Sequence, residues 1–154
     1  EAAVASGEKA VALSPNHANN NALLAMFLHN AGRPKEALRK MKMAMRLSPY
    51  YPAWFLEVLG FVYLDTKQPE EALAAFAKFL EREPSGKHAA HAHIGRARAY
   101  HDLGRDAAAR EAVTEAVDTD PTITVTQMRR HNLRSNVEAS ESGLAILRRL
   151  GLPD

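Results

Sequence analysis

The sequence repeats itself with an internal period of about 34 residues. Prolines preceded by Ser, Glu or Asp recur at intervals of 34, 35 and 37 residues, and they are Pro15, Pro49, Pro84 and Pro121. Self-similarity at a fixed period of this length is typical of a supersecondary unit that is repeated and stacked. As evidence for the fold, it outweighs the helix or strand propensities of single residues. We therefore interpret each interval as one unit of a helical row.

Each unit contains two short helical patterns separated by a turn. In residues 18–49, Gly32 supplies the backbone freedom that a tight turn between helices needs. Pro34 suits the first turn of the following helix, where its missing N–H has no partner to lose. The corresponding turns read AGRPKEAL, TKQPEEAL and LGRDAAAR. The pattern predicts helix–turn–helix units, each of which buries its apolar face by stacking on the next.

Small residues recur at equivalent positions of the units. They are Ala25, Gly60 and Ala97 in the first helices and Ala37, Ala72 and Ala109 in the second helices. Two helices approach to about 8–10 Å where the side chains at the contact allow it. We expect these positions to form the contacts between the paired helices.

These residues resemble the tetratricopeptide repeat (TPR) family over residues 1–121. The motifs that carry the resemblance are Leu24-Ala25-Leu28, Leu59-Gly60-Tyr63 and Ala97-Tyr100 in the first helices, and Ala37-Met41-Ala44, Ala72-Phe76-Phe79 and Ala109-Val113-Ala116 in the second. The resemblance implies an all-α helix–turn–helix solenoid, wound as a right-handed superhelix, and a non-catalytic protein-interaction scaffold. Phe79 replaces a usually small residue and Arg96 a usually apolar one, so the packing at these two places is open.

The period divides the chain, taken as a single domain, into five segments. They are the second helix of a truncated repeat (1–15), three full repeats (18–49, 53–84 and 90–121) and a pair of capping helices (122–154). The opening half-repeat predicts that the chain was cut from a longer polypeptide.

After Pro121 the repeat pattern gives way to two predicted capping helices. Thr124 is the predicted cap of a helix that continues to about Arg134, and Ser135 or Asn136 is the predicted cap of the next. Gly151 fits the end of that second helix. A polar outer face is predicted from the arginines of this segment, which are Arg129, Arg130, Arg134, Arg148 and Arg149.

Two short stretches, residues 49–54 and 147–153, resemble the C-terminal TPR region of bacterial class III adenylate/guanylate cyclase-like proteins. This resemblance implies a regulatory or docking module of a larger bacterial, cytoplasmic protein. The helical sequence itself contains no recognisable cyclase domain.

In the TPR family the first helices line a concave groove that binds partner segments. Carried over residue by residue, the resemblance implies a groove formed by Asn19, Met26, His29, Asn30, Trp54, Glu57, Phe61, Asp65, His91, Arg98, His101 and Asp102. Such a mixture of apolar and charged groups suits an extended peptide or a helix with apolar anchors. The same apolar side chains are also expected in ordinary contacts between neighbouring helices, so both interpretations stay open. Homo-oligomerisation, through the half-repeat and the aromatic corner at residues 50–54, is the alternative function.

Catalytic, metal and cofactor sites are not predicted. The chain has no cysteine, which excludes disulfides, thiolate ligands and Cys nucleophiles. His88, His91, His93 and His101 cluster in the sequence, but a zinc site needs three or four converging ligands, and His91 and His93 fall on different helix faces. No nucleophile, base and oxyanion-binding group assemble, so we predict that the protein is not an enzyme.

Nucleic-acid and membrane partners are not predicted either. The net charge is only +2, and the C-terminal arginines lack the interleaved aromatic residues of a single-strand platform. The longest apolar runs fall far short of the ~20 residues that a membrane span needs. The expected partner is therefore a protein or peptide of unspecified identity.

Overall fold

The computed structural model of the protein describes residues 1–131 and 137–154, with the backbone alone described for residues 131 and 137–140. The described chain is helical throughout and contains no strand, as the all-α prediction requires. Its helices are α1 (Ala2–Leu13), α2 (Ala18–Asn30), α3 (Pro34–Leu47), α4 (Trp54–Asp65), α5 (Pro69–Arg82), α6 (Gly86–Asp102), α7 (Asp106–Thr119), α8 (Val125–His131) and α9 (Val137–Arg149).

Consecutive helices pack as pairs, α2 with α3, α4 with α5 and α6 with α7. The pairs join into a row because α4 also contacts α3, α2 and α6, and α5 contacts α6. At one end α1 packs on α2, and at the other α9 packs on α6 and α8. The row is the helix–turn–helix solenoid that the repeat pattern predicts.

The turn inside each pair has the same backbone geometry. Gly32, Lys67 and Gly104 occupy equivalent repeat positions and have φ angles of 75°, 61° and 72°. The next residue then donates its N–H to a carbonyl five residues earlier, as in Arg33 to Leu28 at 2.9 Å, which closes the helix end. Lys67 adopts a left-handed conformation that favours glycine, so the middle turn is strained relative to the other two.

Phe76 of α5 packs between the second and third repeats. Its ring is fully buried between the glycines of two other helices, Gly60 of α4 and Gly95 of α6. A Cβ atom added at Gly60 would lie 2.5 Å from Cε1 of Phe76, and one added at Gly95 would overlap Cζ of the same ring. Phe61 packs edge-on against the ring, with centroids 5.0 Å apart. Three helices meet here because two of them have no side chain at the contact.

The two departures from the repeat pattern are both accommodated. Phe79 is buried in the same core cluster as Phe76. Arg96 lies with its guanidinium 5.9 Å from the ring centroid of Tyr100 and forms an ion pair with Glu115 of α7. A charged residue therefore fits this position because a carboxylate of the paired helix neutralises it.

Helix α1, the half-repeat, buries only the side that faces α2. Val4 and Gly7 are buried against α2, where a Cβ at Gly7 would lie 3.1 Å from Cδ1 of Leu24. Ala3 corresponds to a position that contacts the paired helix in the full repeats, and here it is exposed. Leu13, at the end of the helix, is 77% exposed.

The C-terminal helices close the row at the third repeat. The side-chain oxygen of Thr124 accepts the N–H of Gln127 at 3.1 Å, which is the predicted cap of α8. The predicted caps at Ser135 and Asn136, and the predicted surface residue Arg134, lie outside the described residues. The apolar side of α9 and the following tail joins the core of α6 and α7 through Leu144, Leu147, Leu150 and Leu152.

The outer side of this capping pair is polar, as predicted. Arg129 donates to Glu141 at 2.8 Å and Arg148 donates to Asp154 at 2.6 Å, and both arginines are exposed. Among the described helices, none is both long enough and apolar enough to cross a bilayer.

Candidate peptide-binding groove

The first helices of the three repeats, α2, α4 and α6, line two cavities of about 340 and 400 Å³. His29 and Arg98 border both cavities, so the two adjoin and form one track along this face of the row. We call this track the inner groove. It runs across all three repeats because α4 contacts both α2 and α6, which places the three first helices side by side.

The smaller cavity is mainly apolar. Met26 and Phe61 line it from α2 and α4, and Met128 lines it from α8. Methionine is flexible and polarizable, so it adapts to apolar groups of different shape. This half of the inner groove can therefore accept one or more apolar side chains.

Glu57 is a largely buried carboxylate in the wall of the smaller cavity. One of its oxygens lies 2.8 Å from Nδ1 of His88, at the start of α6. Burial raises the pKa of Glu57, and the neighbouring His88 acts in the opposite direction. The pair adds a hydrogen-bonding acceptor and donor beside the apolar side chains of this cavity.

An ionic cluster occupies the centre of the inner groove, where the two cavities meet. Asp65 accepts a hydrogen bond from Nε2 of His29 at 2.8 Å, and its other oxygen lies 3.6 Å from Nη2 of Arg98. The side chains are 21%, 8% and 27% exposed, respectively. The Asp65 carboxylate thus links α2, α4 and α6. Part of each of the three side chains stays accessible from the groove.

The C-terminal helix forms one end of the inner groove. Ser142, Gly143 and Ile146 of α9 line the larger cavity together with residues of all three repeats. The sequence predicts α9 as a cap on the last repeat, and in the structure it also borders the inner groove. The apolar periodicity of α9 gave no signal for this second contact, because the residues involved are mostly small or polar.

The inner groove brings together most of the residues that the family resemblance implies. Those that line one or both cavities are Met26, His29, Asn30, Glu57, Phe61, Asp65, His91, Arg98, His101 and Asp102. Asn19 is exposed in the first turn of α2 and borders neither cavity. Trp54 is half-buried, with its ring 4.6 Å from that of Phe55, and it packs against the core of the first two repeats and borders neither cavity.

Sequence reasoning missed several residues that line the groove. They are Val58, His88 and Met128 in the smaller cavity and Gly32, Pro34, Lys67, Ser142, Gly143 and Ile146 in the larger. His88 lies one turn before His91 on α6, and this spacing was the available signal. Met128 comes from outside the repeats, so the repeat register could not place it.

The clustered histidines separate in the structure. His91 lines the inner groove, His93 lies 3.0 Å from Glu115 of α7, and His101 lies 3.2 Å from Asp106. Burial lowers the pKa of His93, which favours its neutral form. Among the described residues, no three His, Asp or Glu side chains converge in a way that would hold a metal ion.

The fold defines a helical-repeat protein of the kind that serves as an interaction module. Residues 59–122 match a family model described as tetratricopeptide repeat, and residues 22–39 match a second model with the same description. The chain folds as a TPR-type helical solenoid, and domains of this fold generally bind protein partners. No curated protein matches it.

Solved structures with the same fold agree with this assignment. The structure titled "MamA RS-1 ArsTM double mutant" superposes with a TM-score of 0.67 at 19% sequence identity, over 96% of this chain and 82% of that one. The TPR domain of P58(IPK) superposes with a TM-score of 0.61 at 18% identity, over 96% of this chain and 40% of that one. At these identities the likeness concerns the fold alone.

Proposed function

We propose that this TPR domain is a non-catalytic scaffold whose inner groove binds an extended peptide or a helix of a partner protein. The observation that carries the proposal is the continuity of the inner groove, in which His29 and Arg98 border both cavities. A continuous track across three repeats suits a linear ligand better than a compact small molecule.

The chemistry of the inner groove supports a ligand with an apolar anchor and a polar group. Phe61, Met26 and Met128 offer the anchor a surface that is partly apolar and adaptable. The Arg98 guanidinium, a fork of N–H donors that remains 27% exposed, suits a carboxylate or carbonyl of the ligand. The anchor and the polar contact would then lie side by side, since Phe61 and Arg98 line the same smaller cavity.

Peptide selection followed by mutation tests this proposal. A displayed library of random 12-residue peptides is selected on the wild-type domain, and the affinity of the recovered peptides is measured by fluorescence anisotropy. We expect Phe61→Ala and Arg98→Gln each to weaken binding at least about tenfold, because truncation of a groove anchor removes most of its contact energy.

Arg149→Gln is the matched control, since this exposed arginine of α9 borders neither cavity. It should leave the affinity within about twofold of wild type, and circular dichroism should show unchanged helicity for all three variants. Recovered peptides that bind both groove variants as tightly as wild type would move the binding site away from the inner groove.

Self-association is the second candidate function, and exposed apolar groups favour it. Leu13 is 77% exposed at the end of α1, and Tyr50 is 97% exposed at the corner before α4. If the chain dimerises through these groups, the double variant Leu13→Ser/Tyr50→Ser should sediment as a monomer at a concentration where the wild type sediments as a dimer. A wild-type monomer at every concentration would contradict this candidate.

The identity of the larger protein is predicted from the resemblance of residues 49–54 and 147–153 to cyclase-like proteins. We propose a docking or regulatory module within a bacterial, cytoplasmic, cyclase-like protein, on the strength of that resemblance alone. The coding sequence upstream of Glu1 tests it, since any other neighbouring domain would contradict the cyclase context.

A further inference from the structure

A second groove lies between α3 and α5, with α4 as its floor. It encloses about 670 Å³ and is bordered by the second helices of the first two repeats. On α4, Leu56, Leu59 and Tyr63 face this groove and are spaced three and four residues apart, as one helix face requires. The α4 residues of the inner groove, such as Phe61 and Asp65, lie at other positions of the helical period. We call this second site the outer groove.

The floor of the outer groove is apolar. Leu56, Leu59 and Tyr63 contribute from α4, Met45 from α3 and Ala75 from α5. Ala74 and Ala75 are small, so α5 leaves the floor open where a longer side chain would cover it. The depression can therefore take a large apolar side chain.

The rim of the outer groove is basic. Its four cationic side chains are Arg39, Lys42, Arg46 and Lys78, and all four are exposed. Among the described residues that line this groove, Glu71 is the one carboxylate. The ammonium of Lys42 lies 5.9 Å from the ring centroid of Tyr63, so positive charge borders the apolar floor directly.

This charge pattern distinguishes the outer groove from the inner one. In the inner groove, Asp65 faces His29 and Arg98, Glu57 faces His88, and Asp102 adds a third carboxylate, so negative groups accompany the positive ones. In the outer groove three cations line the α3 wall with no carboxylate among them, and Lys78 is accompanied by Glu71 on the α5 wall. A ligand that carries negative charge would therefore be attracted more strongly by the outer groove than by the inner groove.

We propose that the outer groove docks a short acidic segment of a partner protein. One large apolar side chain of that segment rests on Leu59 and Tyr63, and flanking carboxylates pair with Lys42 of α3 and Lys78 of α5. The apolar floor favours a protein segment over a nucleic acid, because bases bind by stacking on exposed rings. The two rings that line the groove, Tyr51 and Tyr63, are both half-buried, and Tyr51 already stacks on Phe55. This site is independent of the inner groove and of its ligand.

A synthetic peptide tests the proposal on the full chain. The probe is a fluorescein-labelled 12-residue peptide in which a central Leu-Phe pair is flanked by glutamates. We expect it to bind the wild type, and we expect Lys42→Glu and Lys78→Glu each to weaken binding at least tenfold. Phe61→Ala, in the inner groove, should leave this affinity within twofold of wild type.

Two matched controls separate a specific site from general attraction to a basic surface. Lys35→Glu makes the same charge change on α3, outside the outer groove, and should change the affinity less than twofold. A second peptide with alanines in place of the Leu-Phe pair should bind at least tenfold more weakly than the probe. Equal loss in Lys35→Glu, or equal affinity of the alanine peptide, would overturn the proposal.

Other anionic ligands provide the last comparison. A fluorescein-labelled single-stranded oligothymidylate and vesicles that contain phosphatidylserine are each titrated with the same protein variants. Binding of either ligand that is tighter than that of the probe, and is lost in Lys42→Glu, would overturn the assignment to a protein segment. Weaker binding of both, with no difference between Lys42→Glu and Lys35→Glu, supports it.

Discussion

Replacing Gly95 by alanine is expected to destabilise the fold by about 2 kcal/mol or more, although alanine is the better helix former by about 1 kcal/mol. The new methyl group would overlap the ring of Phe76, which is fully buried and touches Gly60 on its other side. The ring cannot withdraw from one glycine without pressing on the other, so helix α6 has to move. Overpacking of this kind typically destabilises by about 1–3 kcal/mol, before the loss of neighbouring contacts is counted. Guanidinium unfolding followed by circular dichroism measures the effect.

Gly143→Ala is the matched control, since it is the same substitution inside another helix of the same chain. A Cβ at Gly143 of α9 meets nothing within 4 Å, so this variant should be more stable than wild type by about 0.5–1 kcal/mol. The two identical substitutions are therefore expected to act with opposite signs. A Gly95→Ala variant as stable as Gly143→Ala would show that the ring of Phe76 does not fill the space between α4 and α6.

A second substitution identifies the clashing group. Phe76→Leu removes the far edge of the ring, which is the part that the new methyl would overlap. The double variant Gly95→Ala/Phe76→Leu should accordingly be more stable than the sum of the two single effects predicts. Additive effects would place the strain of Gly95→Ala elsewhere in the core.

The repeat period was sufficient to predict the helix pairs, because the residues that define it act locally. Pro34 and Pro69 begin second helices, and Gly32 and Gly104 adopt the left-handed backbone of the turn. These residues restrict their own backbone whatever lies around them. The middle turn shows the limit of the rule, since Lys67 adopts the same conformation without being glycine.

Contacts between helices that are distant in the sequence were harder to predict. The register predicts that Asp65 and Arg98 lie on first helices, but nothing local indicates that Asp65 also contacts His29. Trp54 shares the register of groove residues and yet packs on Phe55 and the core around it. The contribution of α9 to the inner groove depends on how the whole row is assembled. The sequence therefore indicates which helices line the groove more reliably than which side chains do.

Asp65→Asn is expected to destabilise the domain by about 1–2 kcal/mol, because it weakens two contacts that join three helices. Asp65 is the last residue of α4, where the helix dipole disfavours negative charge by roughly 0.3–1 kcal/mol. The hydrogen bond from His29 and the Arg98 guanidinium offset that cost, and hydrogen bonds to charged groups contribute about 1.5–3 kcal/mol. The neutral amide relieves the unfavourable interaction with the dipole but loses charge-assisted bonding, and this loss outweighs the relief.

Asp102→Asn is the control for this prediction, since Asp102 occupies the equivalent position at the end of α6. It is exposed, and no ion pair is formed by it within the part of the chain that the structure describes. Its neutralisation should therefore leave stability unchanged or raise it by a few tenths of a kcal/mol, as the dipole argument alone requires. Unfolding in guanidinium reports both variants against wild type. If Asp65→Asn has the same free energy of unfolding as Asp102→Asn, then packing alone holds the first helices of the repeats together and the ionic cluster adds no net stability. If Asp65→Asn is less stable by about 1 kcal/mol or more, then Asp65 fixes the walls of the inner groove before any ligand binds.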